Sequence, residues 1–321
     1  MPLGSHDRGL RVGRQRWTSA FSVLLIALCA AGVAGCAGTP EGSEAPPPLA
    51  AGQTINVTFC NDQTARISAP GNLDKAAPVA VYLHGGSWIG GDQDTGGFII
   101  SEIGPALNAA GFVVANVNYR LGPEAKWPAQ IEDAKCAIRY LRAYAKKLHI
   151  DPHHIGTWGH SAGGHLAALL GTAGPSAGWD TGAYLKYPST VEAVADLSGP
   201  ANLVTMSTEG ASGAVKDNFI KLLGPVPPEE LPQELKAASP VTYASPEDPP
   251  FLIIHGELDV IVHPSQSQEL ATALQAAGVP VTLVVVTGGG HELDEPGAQP
   301  SPDEITKMVV DFFVTNLRPN S

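Results

Sequence analysis

The chain has 321 residues, 44% of them apolar and 16% charged, a balance that supports one large buried core and excludes general disorder. A formal charge of −12 argues against nucleic acid or an anionic lipid surface as a partner, because both reward a basic face. The first predicted element is an export signal over residues 1–35. It consists of the basic run Arg8, Arg11, Arg14 and Arg16, the uncharged apolar stretch Trp17–Ala34, and small residues around Cys36. Residues 36–54 follow as an attachment point and a flexible linker, rich in Pro and small polar groups and without periodicity.

From residue 55 to 318, short β-rich runs alternate with helical patterns. The predicted strands are Ile55–Cys60, Ala65–Ser68, Val79–Leu83, Val113–Asn118, Ile155–Trp158, Val191–Leu197, Phe251–His255 and Val281–Val286. The later ones are continuous apolar runs, as parallel strands covered on both faces require. Helices are predicted over Gly97–Ala110, Ala129–Leu148, Ser161–Gly171, Ser265–Ala277 and Pro302–Leu317. The alternation predicts an α/β fold with one doubly wound, mostly parallel sheet. The stretch from about 198 to 250 is too long and too Pro-rich for a plain loop, and reads as a small cap or lid inserted over the carboxyl edge of that sheet.

Four Cys occur. The run Val33-Ala34-Gly35-Cys36 resembles the lipobox of bacterial lipoproteins, which makes Cys36 the expected lipid site and the lipid anchor the only expected membrane contact. On that reading the protein is exported and held at the outer face of a bacterial membrane; an ordinary cleaved signal and a secreted protein are the alternative. Cys29 goes with the signal. Cys60 and Cys136 remain, and in an oxidising compartment they are candidates for one disulfide, two buried thiols being the alternative.

The chemistry-bearing residues lie just past apolar runs. Gly159-His160-Ser161-Ala162-Gly163 matches the G-x-S-x-G turn that exposes a nucleophilic serine between a strand and a helix. A second match, Gly174-Pro175-Ser176-Ala177-Gly178, follows a helix and is read as a loop. His84-Gly85-Gly86-Ser87-Trp88 follows the Val79–Leu83 strand, where a glycine pair lets backbone N–H groups approach a substrate oxygen. His84 itself is read as a structural imidazole of that loop. Among later acids, Asp259 is preferred to Glu257 and Asp294. Among later bases, His291 is preferred to His255 and His263, because it alone follows the last strand. Trp88, Trp127 and Trp179 are candidates for a substrate pocket or for packing. No metal site is expected, since His291-Glu292-Leu293-Asp294-Glu295 lacks a second His at helical spacing and His153-His154 are adjacent.

Together with Asn118-Tyr119-Arg120-Leu121, His255-Gly256-x-x-Asp259 and Gly290-His291, these motifs resemble the hormone-sensitive-lipase-like and feruloyl- and acetyl-xylan-esterase-like α/β hydrolases over residues 55–317. The resemblance implies Ser161, Asp259 and His291 as a triad. It implies the amides of Gly86, Ser87 and Ala162 as oxyanion donors, with Gly85 as an alternative. Two positions depart from the lipase-like branch, which usually carries Gly where Ser87 stands and Asp where His160 stands. The expected activity is serine carboxylesterase on small acyl or aryl esters, with a small-molecule partner and no cofactor. Amide hydrolysis by the same triad and an inactive hydrolase fold used for binding are the alternatives.

Overall fold

The computed structural model describes residues 45–208 and 213–318; the expected export signal, Cys36 and the linker up to residue 44 lie outside the described residues. Eight strands form one sheet: β1 (Thr54–Thr58), β2 (Thr64–Ser68), β3 (Ala77–Leu83), β4 (Val113–Val117), β5 (Ile150–His160), β6 (Ala193–Leu197), β7 (Phe251–Gly256) and β8 (Val281–Val286). Their spatial order is β1-β2-β4-β3-β5-β6-β7-β8. β2 pairs antiparallel with both β1 and β4, and every later pair is parallel, so β2 alone runs against the others. The middle strands β4, β6 and β7 are buried at every position, which is why they read as unbroken apolar runs. β8 closes the sheet as an edge and is only half covered; Val285 is exposed although its run reads as a buried one.

Nine helices lie among the described residues: α1 (Gly104–Ala109), α2 (Ala129–Ala143), α3 (Ala145–Leu148), α4 (Ala162–Thr172), α5 (Leu203–Thr208), α6 (Gly213–Leu223), α7 (Leu231–Ala237), α8 (Ser265–Ala277) and α9 (Pro302–Leu317). Two apolar clusters separate by sheet face. One joins α2, α4 and α8 through residues such as Ile138, Leu166 and Leu270. The other joins α1 and α9 through Leu107, Ile305, Val309 and Phe313. The sheet is therefore doubly wound. α9 starts on a capping box in which the Ser301 hydroxyl and the Glu304 backbone and carboxylate satisfy one another. It then lies so close to β5 that a Cβ on Gly156 would stand 2.6 Å from Phe313 and Leu317.

Three boundaries differ from expectation. The helix predicted over 129–148 divides at Tyr144, which leaves helical geometry (φ −109°, ψ 17°) between α2 and α3. The helix predicted from Gly97 opens with a π-helical turn, Ile99–Ile103. Cys60 sits not in β1 but in the short 3-10 turn Cys60–Asp62, where its sulfur is bonded to that of Cys136 in α2, with the Cα atoms 6.3 Å apart. Closing a separation of 76 residues restricts the unfolded chain by an amount worth on the order of 4 kcal/mol in the chain-entropy model.

α2 is also buried on its cationic side. Lys135 donates to the Ala173 carbonyl (2.8 Å), Arg139 to Asp180 (2.7 Å), and Arg142 to Glu192 (2.8 Å) and to the Pro152, Pro188 and Thr190 carbonyls. Burial lowers the proton affinity of all three, and it is these acceptors that make their charge tolerable. The network fastens the segment after α4 to the sheet. Between β6 and β7, α5, α6 and α7 occupy the long insertion, and Met206 of α5 and Asn218 of α6 border the cleft described next. No helix among the described residues is long and apolar enough to cross a membrane.

Candidate active site

Ser161 stands alone between β5 and α4 with φ 56° and ψ −123°, a conformation that costs a non-glycine residue energy and is held by its surroundings. Its amide donates to the Leu197 carbonyl at the end of β6 (2.9 Å). The flanking glycines permit the tight turn: a Cβ on Gly163 would lie 1.9 Å from the Leu83 carbonyl oxygen of β3, and one on Gly159 would lie 2.4 Å from Gly163 itself. The other serine of matching pattern, Ser176, is exposed in a 3-10 turn after α4.

Three strand ends deliver one hydrogen-bonded line. The Ser161 hydroxyl lies 3.0 Å from His291 Nε2, and His291 Nδ1 lies 2.6 Å from Asp259 Oδ2. With Nδ1–H given to the carboxylate, Nε2 is left to accept the hydrogen bond of the Ser161 hydroxyl. Asp259, buried just past β7, also receives the amides of Ile261 (2.8 Å) and Val262 (2.9 Å) on Oδ1. Burial alone would raise its proton affinity. Hydrogen bonds from His255 and His291, the His291 charge and the Val262 amide outweigh that, and hold the carboxyl well below the usual carboxylate range. The rival acids and bases lie elsewhere. Glu257 accepts the Gly288 amide, Asp294 is exposed, and His263 is exposed and accepts the Ser265 amide. His255 belongs to the same group, but behind the acid, 3.2 Å from Asp259 Oδ2.

The loop after β3 faces the serine from the other side. Gly85 packs against the elbow, where a Cβ would lie 3.4 Å from the Ser161 Cβ. Gly86, Ser87 and Trp88 follow with φ of 111°, 55° and 62°, three successive residues in the left-handed region. Among the described residues, the amides of Gly86 and Ser87 donate to no backbone carbonyl. Ala162 opens α4, so its N–H has no partner within the helix. His84 is buried, stacked on Tyr119 at 4.2 Å, and donates from Nδ1 to the Gly85 carbonyl; burial lowers its proton affinity.

Three further residues support the site, and their sequence motifs do not reveal this. His160 donates from Nε2 to the His291 carbonyl (2.7 Å) with its ring 4.7 Å from that of His291. Burial first, then the His291 charge, lowers its pKa to about 4, so it is neutral at neutral pH. Trp88 Nε1–H donates to His165 Nδ1 (3.1 Å), and His165 Nε2–H donates to the Ala238 carbonyl (2.7 Å). His165 is wholly buried, which lowers its pKa to about 4, and it links the loop after β3 to the end of α7. The signal for these roles lies in backbone carbonyls far along the chain, which no motif records.

Beside Ser161 lies a small cleft lined by Trp88, Pro200, Met206, Asn218, Ile261 and Val262. Trp127 and Trp179 pack edge to face at 5.2 Å behind His165 and take no part in this lining. His153 and His154 open β5, and His154 bonds Asp151 at 2.8 Å. One group among the described residues is spaced to hold a metal ion: His160, His291 and Glu292.

A doubly wound, mostly parallel sheet with a serine turn after its central strand, an acid after β7 and a histidine after β8 defines an α/β hydrolase. Residues 66–274 match the model of the BD-FAE family, and the chain belongs to that family. Among solved structures, a truncated carbohydrate esterase from gut microbiota is 31% identical with a TM-score of 0.71, over 86% of this chain and 99% of that one. An acetyl ester-xyloside bifunctional hydrolase from Caldicellulosiruptor lactoaceticus is 26% identical with a TM-score of 0.67, over 83% and 97%. The esterase LipC of Mycobacterium tuberculosis is 30% identical over 221 residues, which are 68% of this chain and 54% of LipC. The chain thus spans about half the length of the curated relatives it matches.

Proposed function

We propose that the protein is a serine carboxylic ester hydrolase for short acyl groups, working through Ser161, His291 and Asp259. The observation that carries this reading is the unbroken line from the Ser161 hydroxyl through both His291 nitrogens to the Asp259 carboxylate. The named relatives, which are esterases, support the reaction class.

In the first step His291 Nε2 takes the hydroxyl proton as Ser161 Oγ attacks the ester carbonyl. Asp259 fixes the imidazole tautomer and stabilises the imidazolium that forms. The carbonyl oxygen becomes an oxyanion that accepts from the amides of Ala162, Ser87 and Gly86, each worth about 3 kcal/mol in the transition state. His291 then gives its proton to the departing alkoxide, leaving an acyl-Ser161 ester and a free alcohol. Water repeats the sequence: His291 takes its proton, the hydroxide attacks the acyl carbon, and the acid and Ser161 are released.

The lining of the cleft supports a short acyl group. Trp88, Met206, Ile261 and Val262 line the cleft beside the serine, and bulky apolar walls of this kind favour a short tail over a long chain. The acetyl ester in the name of one structural relative agrees with this.

The test is a panel of p-nitrophenyl esters from acetate to octanoate, run with the parent and Ser161→Ala. The expected result is highest turnover on the shortest esters, cut about 10⁴-fold or more in the variant. A variant that turns over the acetate at the parent rate overturns the assignment of the nucleophile. A parent that prefers octanoate overturns the assignment of the acyl group.

A further inference from the structure

His291 and Glu292 begin a pattern that local sequence leaves short of ligands, and the fold supplies what is missing from β5. One ring nitrogen of His160, one of His291 and a carboxylate oxygen of Glu292 lie within 4.8 Å of one another. Two imidazoles and a carboxylate with an open fourth position are a donor set suited to a zinc ion.

The second layer of contacts argues for the same ligand. A metal-binding histidine usually gives its other N–H to a carboxylate or a backbone carbonyl, which fixes the tautomer and leaves the remaining lone pair for the ion. Both histidines already have that arrangement. His291 gives Nδ1–H to Asp259, and its Nε2 lone pair, which accepts from the Ser161 hydroxyl, is the one an ion would take over. His160 gives Nε2–H to the His291 carbonyl, leaving Nδ1 with a lone pair. Glu292 is exposed and accepts no hydrogen bond from any described residue, so its carboxylate is free to swing toward an ion. Zinc holds such donors at about 2 Å, so the exposed Glu292 carboxylate would rotate in and the two rings would draw together around the ion.

We propose that His160, His291 and Glu292 form a binding site for a single Zn²⁺ ion whose occupancy switches the nucleophile off. Binding places the ion on His291 Nε2, the atom that accepts the Ser161 proton. The serine then loses its base while the rest of the fold is undisturbed. The ion is an inhibitor here, not a participant in hydrolysis, and the inference goes beyond the reaction proposed above. No electron or proton changes hands beyond the serine keeping its own.

Titration of the whole protein with Co²⁺, which absorbs visibly in a four-coordinate nitrogen and oxygen site, reads binding without any turnover. The expected result is one equivalent of absorbing Co²⁺, displaced by Zn²⁺, with affinity reduced at least about tenfold in Glu292→Gln and in His160→Asn. In parallel, Zn²⁺ should inhibit hydrolysis of p-nitrophenyl acetate reversibly, with recovery on adding a chelator. Glu292→Gln should keep the metal-free rate and need at least about tenfold more Zn²⁺ for the same inhibition. Absence of the Co²⁺ absorption, or a Glu292→Gln variant that binds as tightly as the parent, overturns the proposal. Because absorption is independent of catalysis, a protein that hydrolysed no ester would still show whether the ion binds.

Discussion

His255 gives Asp259 a second imidazole. Its Nε2–H is shared between the Val262 carbonyl (2.8 Å) and the same Asp259 Oδ2 that binds His291 (3.2 Å), while its Nδ1 accepts from the Ser267 hydroxyl (2.6 Å). The carboxylate is thereby held from two sides, by His291 in front and by a buried ring behind. His255→Ala removes a buried hydrogen-bonding partner, a loss worth about 1–3 kcal/mol. Because the acid's orientation matters most when His291 carries charge, kcat should fall about 10- to 100-fold with KM nearly unchanged. His255→Gln, which keeps a donor, should recover part of it. Steady-state kinetics of the three proteins decide the matter; equal losses in Ala and Gln variants would reduce His255 to a packing residue.

Met206 is the wall of the cleft that an acyl chain meets as it lengthens. It is buried, comes from α5 in the insertion, and lines the cleft with Trp88, Ile261 and Ser161. Met206→Ala opens space next to the serine, and the chain-length optimum should move from acetate toward butyrate or hexanoate. The cost in stability should be about 2–5 kcal/mol, as for other buried Met truncations. A profile across p-nitrophenyl esters that keeps its maximum at acetate would place the limit on acyl length elsewhere.

Asp196 in β6 is wholly buried, with Oδ1 accepting the Gly199 amide and Oδ2 without a hydrogen-bonding partner among the described residues. Burial pushes its pKa up to about 7 from 3.8, against the opposing pull of His255 and of the Gly199 amide. The folded protein therefore keeps a proton that the unfolded chain has released across this window. The stability this carboxyl contributes is complete below pH 3.8, declines as pH rises, and is lost once pH passes about 7. Denaturant unfolding at a series of pH values should show a shallower decline between about pH 4 and 7 in Asp196→Asn than in the parent. Parallel curves for the two proteins would mean that Asp196 is ionised in the fold.

The parts of this molecule that are legible in the sequence share one property: their signal is local. Ser161, Asp259 and His291 each stand just beyond an apolar strand, and α8 and α9 lie over the ranges their sequence predicts. Cys60 and Cys136 are in sequence only candidates for a bond, and only the fold brings a turn after β1 to α2. What is not legible acts across distance or through the main chain. His160 and His165 do their work on the carbonyls of residues 131 and 73 positions away. Lys135, Arg139 and Arg142 carry no mark of burial, because the segment that covers them arrives from residues 173–192. The helices of the insertion are hidden by the prolines around them and by their short length.

The glycine at position 163 presses α4 so closely on the end of β3 that not even a methyl group fits between them. The proposed nucleophile and the amides proposed to meet the oxyanion are consequently one mechanical part, cast across two strands that are about 70 residues apart in the chain. Anyone transplanting the serine turn into another scaffold, or swapping it between relatives, has to carry the tip of β3 along with it. An alanine at 163 would separate the two halves of the reaction without touching either reacting group.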